Sequence, residues 1–395
     1  MAEMRYLAAR EKRQASKELI GDLKTLADSK LTAIGKDIKA IILDQKTAES
    51  ATIDNSIPAG NIGSAACKAD MCCHWKWLAY EMTAKFNGTS GRCSKFARQA
   101  VRLGFHDAAV WSKSSGYGGA DGSILLSDEM SRADNNGLSA IADQTKKWYT
   151  KYNQYGMSMA DIIQFGANVA TVVCPLGPRV RTFVGRKDNS KAGPTGLLPG
   201  EKDSADKLIK LFQDKTIDPH DLVALVGAHT TSQQHFVDTS RDGDPQDSTP
   251  GVWDMAFYPQ TTNANTPVRI IKFQSDINLS KDSRTSASWA QFSVRGTAQP
   301  QWNAVWLARY PRQNSANTSM QDYAKAYTRL SLLGVNNIND LKECTKVLPA
   351  ERPTFVSEDQ VLLDRWLAGE FDQLNNLVDD AIQLTGVISS KDKKA

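Results

Sequence analysis

The sequence predicts a mainly α-helical fold, and two kinds of observation support this. Apolar residues recur at helical spacing in long segments, most clearly over 31–43 and 93–110. Helix-start signals precede two further segments: a capping box opens at Ser158, and Asp218 with Pro219 supplies an N-cap and a first-turn proline. Glycine- and proline-rich stretches between these segments indicate long, shaped loops.

Length and charge exclude several classes of protein. A chain of 395 residues can bury a large core and carry extensions. Its formal net charge of +4 is small for that length, and no basic stripe alternates with aromatic residues, so nucleic acid is not an expected partner. No run of eighteen apolar residues predicts a membrane span, and the N-terminus lacks the charged-then-apolar pattern of a secretory signal.

Cysteines and glycosylation sequons nevertheless favour an oxidising compartment. The six cysteines are even in number and form neither a zinc pattern nor a redox motif. Three sequons begin at Asn87, Asn278 and Asn317. The alternative is a cytosolic protein with six buried thiols, but we favour a secreted protein whose signal peptide has been removed. Adjacent Cys72 and Cys73 point apart on a helix, so they should pair with different partners.

Helical segments lie at both ends of the chain. Residues 1–60 are predicted to form a helical N-terminal extension. The predicted helices towards the two ends of the chain span Met4–Leu26, Leu31–Leu43, Ser319–Leu333 and Glu358–Leu384. Ile34, Ile38 and Ile41 or Ile42 share one face of the second helix, which should pack on the body.

The stretch Arg102-Leu103-Gly104-Phe105-His106-Asp107 is the strongest candidate for chemistry. Arg102 and His106 are four residues apart on a predicted helix and therefore project from one face, while Asp107 points elsewhere. An acid–base group beside a fixed cation suits heterolysis of a peroxide O–O bond, because one group moves the proton and the other stabilises the departing oxygen. The alternative is an amphipathic helix with a core histidine and a surface arginine.

Two stretches rich in oxygen ligands could each hold a hard cation such as calcium. The glycine-rich loop 115–123 lacks the ending of a phosphate-binding loop, but Asp121, Ser123 and loop carbonyls together with Asp107 make a suitable ligand set. A second set consists of Thr230, Asp247, Thr249 and Asp254. Ordinary turns are the alternative for the first stretch.

His229 ends the helix that starts at Asp218, and a lone histidine on an apolar helix face is more often a core residue than a ligand.

Taken together, four motifs resemble the plant-type haem peroxidase superfamily and, within it, the secreted fungal (class II) peroxidases. They are Arg102-x-x-Phe105-His106-Asp107, Gly119-Ala120-Asp121-Gly122-Ser123, Leu222 to His229-Thr230, and Asp247-Ser248-Thr249-Pro250. The resemblance covers about Cys67 to Pro349. It implies two helical lobes that sandwich haem b, a distal half of about 61–200 and a proximal half of about 201–345. The main domain would thus span 61–345, and residues 346–395 would form a helical C-terminal extension.

The resemblance also assigns roles to individual residues. His106 and Arg102 would be the distal pair, Phe105 would line the haem face, and Asn135, supported by Glu129, would accept a hydrogen bond from His106 Nδ1. His229 would be the axial iron ligand and Asp282 its hydrogen-bond partner. The implied distal calcium ligands are Asp107, Gly119, Asp121 and Ser123, and the proximal ones are Thr230, Asp247, Thr249, Val252 and Asp254. The implied disulfides are Cys67–Cys73, Cys72–Cys344 and Cys93–Cys174.

Departures from the family pattern bear on the reducing substrate. Where manganese-oxidising members carry three carboxylates, this chain has Lys95, Gln99 and His235, a poor set for Mn(II). Where others carry a surface tryptophan, it has Ala224. We therefore expect an extracellular, monomeric peroxidase of the generic type that uses hydrogen peroxide to oxidise phenolic and similar aromatic donors at the haem edge. The alternatives are a manganese-dependent or lignin-type enzyme with a non-standard site, a non-catalytic secreted calcium-binding scaffold, and an intracellular peroxidase.

Overall fold

α-Helices dominate the computed structural model, which describes residues 17–54, 60–88, 91–294, 321–357 and 359–370. The predicted mainly α-helical fold is confirmed. In chain order the α-helices are α1 (Ala33–Ile42), α2 (Ala65–Ala69), α3 (Cys73–Phe86), α4 (Lys95–Ala108), α5 (Ser123–Leu126), α6 (Ser139–Tyr152), α7 (Met159–Val173), α8 (Ala205–Asp214), α9 (Pro219–Val226), α10 (Phe257–Thr262), α11 (Gln274–Lys281), α12 (Ser286–Phe292), α13 (Asp322–Leu330) and α14 (Gln360–Leu367). Two short strands, β1 (Phe183–Val184) and β2 (Lys342–Glu343), pair in antiparallel register.

Helix α7 supports α4, the helix that carries Arg102 and His106. Every residue of α7 is buried, and the helix packs against both α3 and α4. Its predicted N-cap is confirmed, because the Ser158 side chain accepts a hydrogen bond from the Asp161 amide. Gly104 allows the close approach of α4: an added Cβ would lie 2.7 Å from the Ala167 Cβ. The Gln164 side chain also donates to the Gly104 carbonyl over 2.9 Å, which fixes α4 on this support.

Helix α9 leads directly into the segment that contains His229. The Asp218 side chain caps it by accepting from the Asp221 amide, and Pro219 occupies the first turn, as predicted. The α-helix ends earlier than predicted, at Val226, and continues as a 3₁₀ helix over Gly227–Thr231. His229 therefore lies in the 3₁₀ segment, whose tighter backbone sets the direction of the His229 side chain.

Residues 17–54 pack into the same core as the rest of the chain. Helix α1 confirms the second predicted helix, and Ile38, Ile41 and Ile42 are buried in the main core. The first predicted helix is wrong in its described part, where only a short 3₁₀ helix, Gly21–Lys24, forms; residues 1–16 of that prediction lie outside the described residues. The domain boundary near residue 60 remains a prediction.

The C-terminal segment forms a shorter helix than the sequence predicted. Helix α14 ends at Leu367, and Gly369 follows with a φ of +80°, a conformation that ends helices; the predicted remainder beyond residue 370 lies outside the described residues. Trp366, Leu363 and Leu367 bury their side chains with Ile270 in a small second core. Helix α13 corresponds to the predicted helix at Ser319–Leu333, whose first two residues are also outside the described part.

The structure contains three disulfides, two of which join distant parts of the chain, and their pairing is the one that the resemblance implied. The bonds are Cys67–Cys73, Cys72–Cys344 and Cys93–Cys174. Cys72 and Cys73 indeed have different partners, because their side chains leave the start of α3 in different directions. Within the described residues, no helix is both long enough and apolar enough to cross a lipid bilayer.

Candidate functional site

The two residues of the central motif lie side by side on α4, as their spacing predicted. Arg102 Nε donates to His106 Nε2 over 3.2 Å. The rest of the guanidinium is held by backbone carbonyls: Nη1 donates to Asn136 over 2.6 Å and Nη2 donates to Asp134 over 2.8 Å. The cation is therefore fixed in position beside the imidazole nitrogen rather than free to swing. Phe105 lies half-buried next to this pair, with its ring 6.3 Å from and stacked on that of Phe212.

A chain of hydrogen bonds sets the tautomer of His106. Its Nδ1 lies 2.7 Å from Asn135 Oδ1. Asn135 Nδ2 donates to the Glu129 carbonyl over 2.8 Å, which leaves Oδ1 as the atom that faces the ring. The buried Glu129 carboxylate in turn accepts from the Gly193 amide over 2.7 Å and from Arg132 over 3.1 Å. Nδ1 therefore carries the proton, and Nε2 presents a lone pair.

The surroundings keep His106 neutral and Arg102 charged. Burial of His106, which is 7% exposed, and the charge of Arg102 together lower its pKa to about 3, although the hydrogen bond to Asn135 opposes the change. Water reaches Arg102, yet the surrounding protein lowers its pKa to about 10, so the guanidinium stays cationic at neutral pH. A neutral imidazole beside a fixed cation can accept a proton while the cation stabilises negative charge.

His229 has the environment of a histidine that binds a metal through one nitrogen. Its Nδ1 lies 3.2 Å from Asp276 Oδ2. The rings of Phe257 and Phe273 lie edge-on at 5.5 and 5.9 Å between centroids. The side chain is 35% exposed, and the contact with Asp276 uses Nδ1, which leaves Nε2 available as a ligand atom. A carboxylate that accepts from Nδ1 and an open Nε2 fit an axial ligand of haem iron, because the hydrogen bond fixes the ring and strengthens the other nitrogen as a donor.

The predicted partner of this histidine, Asp282, is wrong. Asp282 follows the last residue of α11, six residues beyond Asp276, which is about 9 Å along a helix axis. Its carboxylate accepts from Arg284 Nε over 2.8 Å and from Nη2 over 2.7 Å. These bonds lower the pKa of Asp282 to about 2. Asp276 is 1% exposed, but the two residues before it, Gln274 and Ser275, are polar, so its burial could not be predicted from the sequence.

The distal oxygen ligands come together around a buried carboxylate. Asp107 is fully buried, its Oδ2 accepts from the Gly122 amide over 3.3 Å, and its Oδ1 has no hydrogen-bond partner among the described residues. Ser123 is also fully buried, and its backbone amide donates to Asp121 Oδ1 over 3.1 Å. Burial and the charge of Asp121 raise the pKa of Asp107 well above its usual value. The Gly119 carbonyl accepts from the Asp121 amide over 2.7 Å. This set lacks a compensating positive charge, which a calcium ion would supply.

The second set of oxygen ligands is also assembled. Thr230 Oγ1 donates to Asp247 Oδ2 over 2.5 Å and lies 3.2 Å from Asp254 Oδ1. Thr249 Oγ1 lies 3.2 Å from Asp247 Oδ1 and 3.1 Å from Asp254 Oδ1. Val252 is buried in the same turn, where its amide donates to the Thr249 carbonyl. Burial and the nearby Asp254 raise the pKa of Asp247 well above its usual value. Two carboxylates bridged by two hydroxyls suit a hard cation.

Neither set depends on three acidic or histidine ligands. In the part of the chain that the structure describes, no three His, Cys, Asp or Glu side chains form a metal-binding group. Both candidate calcium sites would therefore combine two carboxylates with hydroxyl and carbonyl oxygens.

Two of the residues that the resemblance places at manganese positions make other contacts. Gln99 Nε2 donates to the Gly137 carbonyl over 2.7 Å. His235 Nδ1 lies 2.7 Å from Asp242 Oδ1 at the surface. Phe236 is 59% exposed, and a Cβ added at Gly137 would lie 2.8 Å from its ring. The turn that holds Arg102 is thus covered by an exposed aromatic ring.

Comparisons with known proteins identify a family and several relatives of this chain. Residues 80–295 match the family model described as Peroxidase. Ligninase LG5 of Phanerodontia chrysosporium is 27% identical over 335 residues, which cover 79% of this chain and 83% of the relative. Ligninase C of Trametes versicolor is 30% identical over 66% of this chain and 70% of its own. A peroxidase of Arthromyces ramosus is 29% identical over 74% of this chain and 82% of its own.

Proposed function

The chain belongs to the peroxidase family, and we propose from this premise that it uses hydrogen peroxide to oxidise small phenolic and other aromatic donors at the haem edge. The observation that carries the proposal is the hydrogen-bonded series Arg102, His106, Asn135 and Glu129. A protein that had lost turnover would not need a neutral histidine with its Nε2 lone pair aimed beside a fixed arginine. This argues against a calcium-binding scaffold without activity.

The distal residues would move one proton and stabilise one charge. His106 Nε2 takes a proton from hydrogen peroxide and returns it to the oxygen that leaves as water, because the Asn135 bond keeps Nδ1 protonated throughout. Arg102 stabilises the negative charge that develops on the leaving oxygen. When bound, haem would accept the two oxidising equivalents of the peroxide and pass them to donors one electron at a time. His229 would hold the iron, and Asp276 would orient His229.

The reducing substrate is inferred from the side chains at the candidate Mn(II) positions and from the aromatic rings near the site. Gln99 and His235 are engaged with Gly137 and Asp242, and neither provides the hard anionic oxygen that Mn(II) prefers. Ala224 is buried in the core, so that position offers no surface tryptophan. Exposed Phe236, beside the turn that holds Arg102, offers an aromatic donor a ring on which to stack. These observations favour the generic type over manganese-dependent or lignin-type oxidation.

Calcium, secretion and a monomeric state complete the proposal. Two Ca²⁺ ions would occupy the two oxygen-ligand sets described above. Three disulfides favour an extracellular protein over an intracellular peroxidase. Of the sequons, Asn87 is exposed, whereas the Asn278 amide donates to the Asp203 carbonyl; Asn317 lies outside the described residues.

The proposed function predicts a haem spectrum and phenol turnover. The protein purified with haem should show a Soret band and oxidise a phenolic dye with hydrogen peroxide. The spectrum before and after one equivalent of peroxide tests the reaction with peroxide, and steady-state dye oxidation tests the donor. If peroxide changes the spectrum but the dye is not oxidised, the proposed phenolic donor is wrong and the proposed reaction with peroxide still stands. A protein that takes up no haem would contradict the whole proposal.

Manganese should be a poor donor for this enzyme. Because an amide and a histidine stand where carboxylates would be needed, Mn(II) oxidation should not saturate at micromolar concentration. Formation of a Mn(III)–chelate complex can be followed while Mn(II) is varied, with a phenol as the parallel donor. Tight saturation by Mn(II) would establish a non-standard manganese site.

A further inference from the structure

Gln246 is a buried residue behind His229 that no part of the reaction above uses. It is 2% exposed, and both ends of its side-chain amide are engaged. Ser232 Oγ donates to Gln246 Oε1 over 2.7 Å, and Gln246 Nε2 donates to Asp276 Oδ2 over 2.9 Å. Gln246 thus links the 3₁₀ segment of His229 to the helix of Asp276.

The surrounding groups allow only this orientation of the amide. Asp276 is an acceptor, so the amide atom that faces it must be the nitrogen. The oxygen then faces the Ser232 hydroxyl, whose single hydrogen is shared between Gln246 Oε1 at 2.7 Å and the His229 carbonyl at 2.8 Å. Gln246 Nε2 also lies 3.3 Å from His229 Nδ1, but both nitrogens carry hydrogens when His229 Nε2 is the ligand atom. Both N–H groups are therefore directed at the carboxylate of Asp276.

These two donors share one oxygen of Asp276. His229 Nδ1 lies 3.2 Å from Oδ2, and the amide of Gln246 lies 2.9 Å from the same atom. Oδ1 has no hydrogen-bond partner within the described residues. The amide is the closer donor, and each donor that an oxygen accepts weakens its attraction for the next. Asp276 consequently accepts less strongly from His229 than it would if Gln246 were absent.

We propose that Gln246 is a positioning residue that weakens the Asp276–His229 hydrogen bond and thereby raises the Fe(III)/Fe(II) potential of the bound haem. The inference rests on the proposed ligation of iron by His229. A stronger bond to Asp276 would give His229 more imidazolate character, which stabilises ferric iron. Gln246 limits that effect by sharing Oδ2, and Ser232 holds the amide in place. The sequence offered no signal for this role, because residues 232, 246 and 276 meet only in the folded chain.

The test replaces Gln246 with methionine, which has a similar volume but no N–H group. The Fe(III)/Fe(II) equilibrium of the haem-loaded Gln246→Met protein should shift about three- to tenfold towards the ferric form; tenfold corresponds to about 59 mV for one electron. The iron–histidine stretching band of the ferrous protein should move to higher frequency in resonance Raman spectra. Both readouts are independent of turnover.

Two further variants separate this role from a general effect of mutation. Ser232→Ala removes the anchor of the amide oxygen and should give a smaller shift in the same direction, which also covers the case in which Gln246→Met does not fold. Gln274→Met changes an exposed glutamine on α11, the helix that carries Asp276, and should change neither readout. Asp282→Asn should also leave the band unmoved, because Asp282 pairs with Arg284.

The possible outcomes distinguish this inference from the proposal on which it rests. If the parent protein shows no iron–histidine band, ligation by His229 is wrong and the inference falls with it. If the band is present but neither Gln246→Met nor Ser232→Ala moves the band or the potential, ligation stands and the role of Gln246 is wrong. A shift towards the ferrous form would also overturn it.

Discussion

Replacing His106 with leucine is expected to slow the reaction with hydrogen peroxide by about 10²- to 10⁴-fold, the usual contribution of a positioned acid–base group. Leucine removes Nε2, which accepts from Arg102 in the folded protein and would accept the proton of the peroxide. The substitution leaves His229 and its contact with Asp276 undisturbed. The rate constant can be measured by stopped-flow absorbance at the Soret band under excess peroxide.

His74 provides a matched control for that experiment. Like His106 it is a 7% exposed histidine on a helix of the distal half, but its ring stacks on Tyr155 at 4.4 Å between centroids. His74→Leu should keep the parental rate with peroxide. A His106→Leu protein with a normal Soret band and a near-normal rate would remove His106 from its role. Loss of rate in both variants would instead point to damage to the distal fold.

Asn135→Leu should show a smaller loss than His106→Leu, since it leaves the base in place. The Asn135 side chain accepts from His106 Nδ1 and so determines which nitrogen is the base.

The distal site could be predicted from the sequence because its main pair is local: one helix turn brings positions four apart onto one face, whatever the rest of the chain does. The Glu129 and Asn135 contacts followed from the family resemblance, and the geometry agrees with them.

The proximal partner of His229 could not be predicted in the same way. Asp276 and Asp282 lie on one short stretch, and which of them reaches the histidine depends on how α11 is placed against the 3₁₀ segment. Arg284 pairs with Asp282, which leaves Asp276 as the partner of His229. A pair of residues at i and i+2 beyond a helix end has no strong sequence signal. Gln246 arrives from a third segment, so only the folded chain shows that it shares the Asp276 oxygen.

Helix ends were the other feature that sequence periodicity could not determine. The apolar pattern of 218–229 is continuous, but the backbone tightens after Val226 into a 3₁₀ helix. Conversely, the pattern over Met4–Leu26 predicted a helix that its described part does not form, because Leu23 is buried through a short 3₁₀ turn instead. Periodicity predicts which residues face the core, and the core contacts then determine the backbone geometry.

Removing calcium is expected to lower the stability of the folded chain substantially. Asp107, Asp247 and Asp254 are deeply buried carboxyls without a basic side chain as hydrogen-bond partner in the contacts described above, and Asp121 adds a fourth carboxyl beside Asp107. An ion present at 100 times its dissociation constant stabilises a folded protein by about 2.7 kcal/mol per site. Two occupied sites would therefore contribute about 5 kcal/mol, which a chelator such as EGTA should remove. Thermal unfolding followed by circular dichroism, with EGTA or with excess calcium, measures the change.

The two calcium sites should differ in their effect on the peroxide reaction, because only the distal site has a ligand next to His106 in the sequence. Asp107 follows His106 directly on α4, so loss of the distal ion should slow the peroxide reaction as well as lower the melting temperature. Asp247→Asn should lower the melting temperature while leaving that rate nearer to the parental value, because Asp247 lies in a loop of the proximal half. Asp242→Asn, at an exposed aspartate paired with His235, should keep the full calcium dependence. Equal melting temperatures in EGTA and in calcium would show that neither set of oxygens holds an ion, and the buried carboxyls would then have to be protonated in the folded protein.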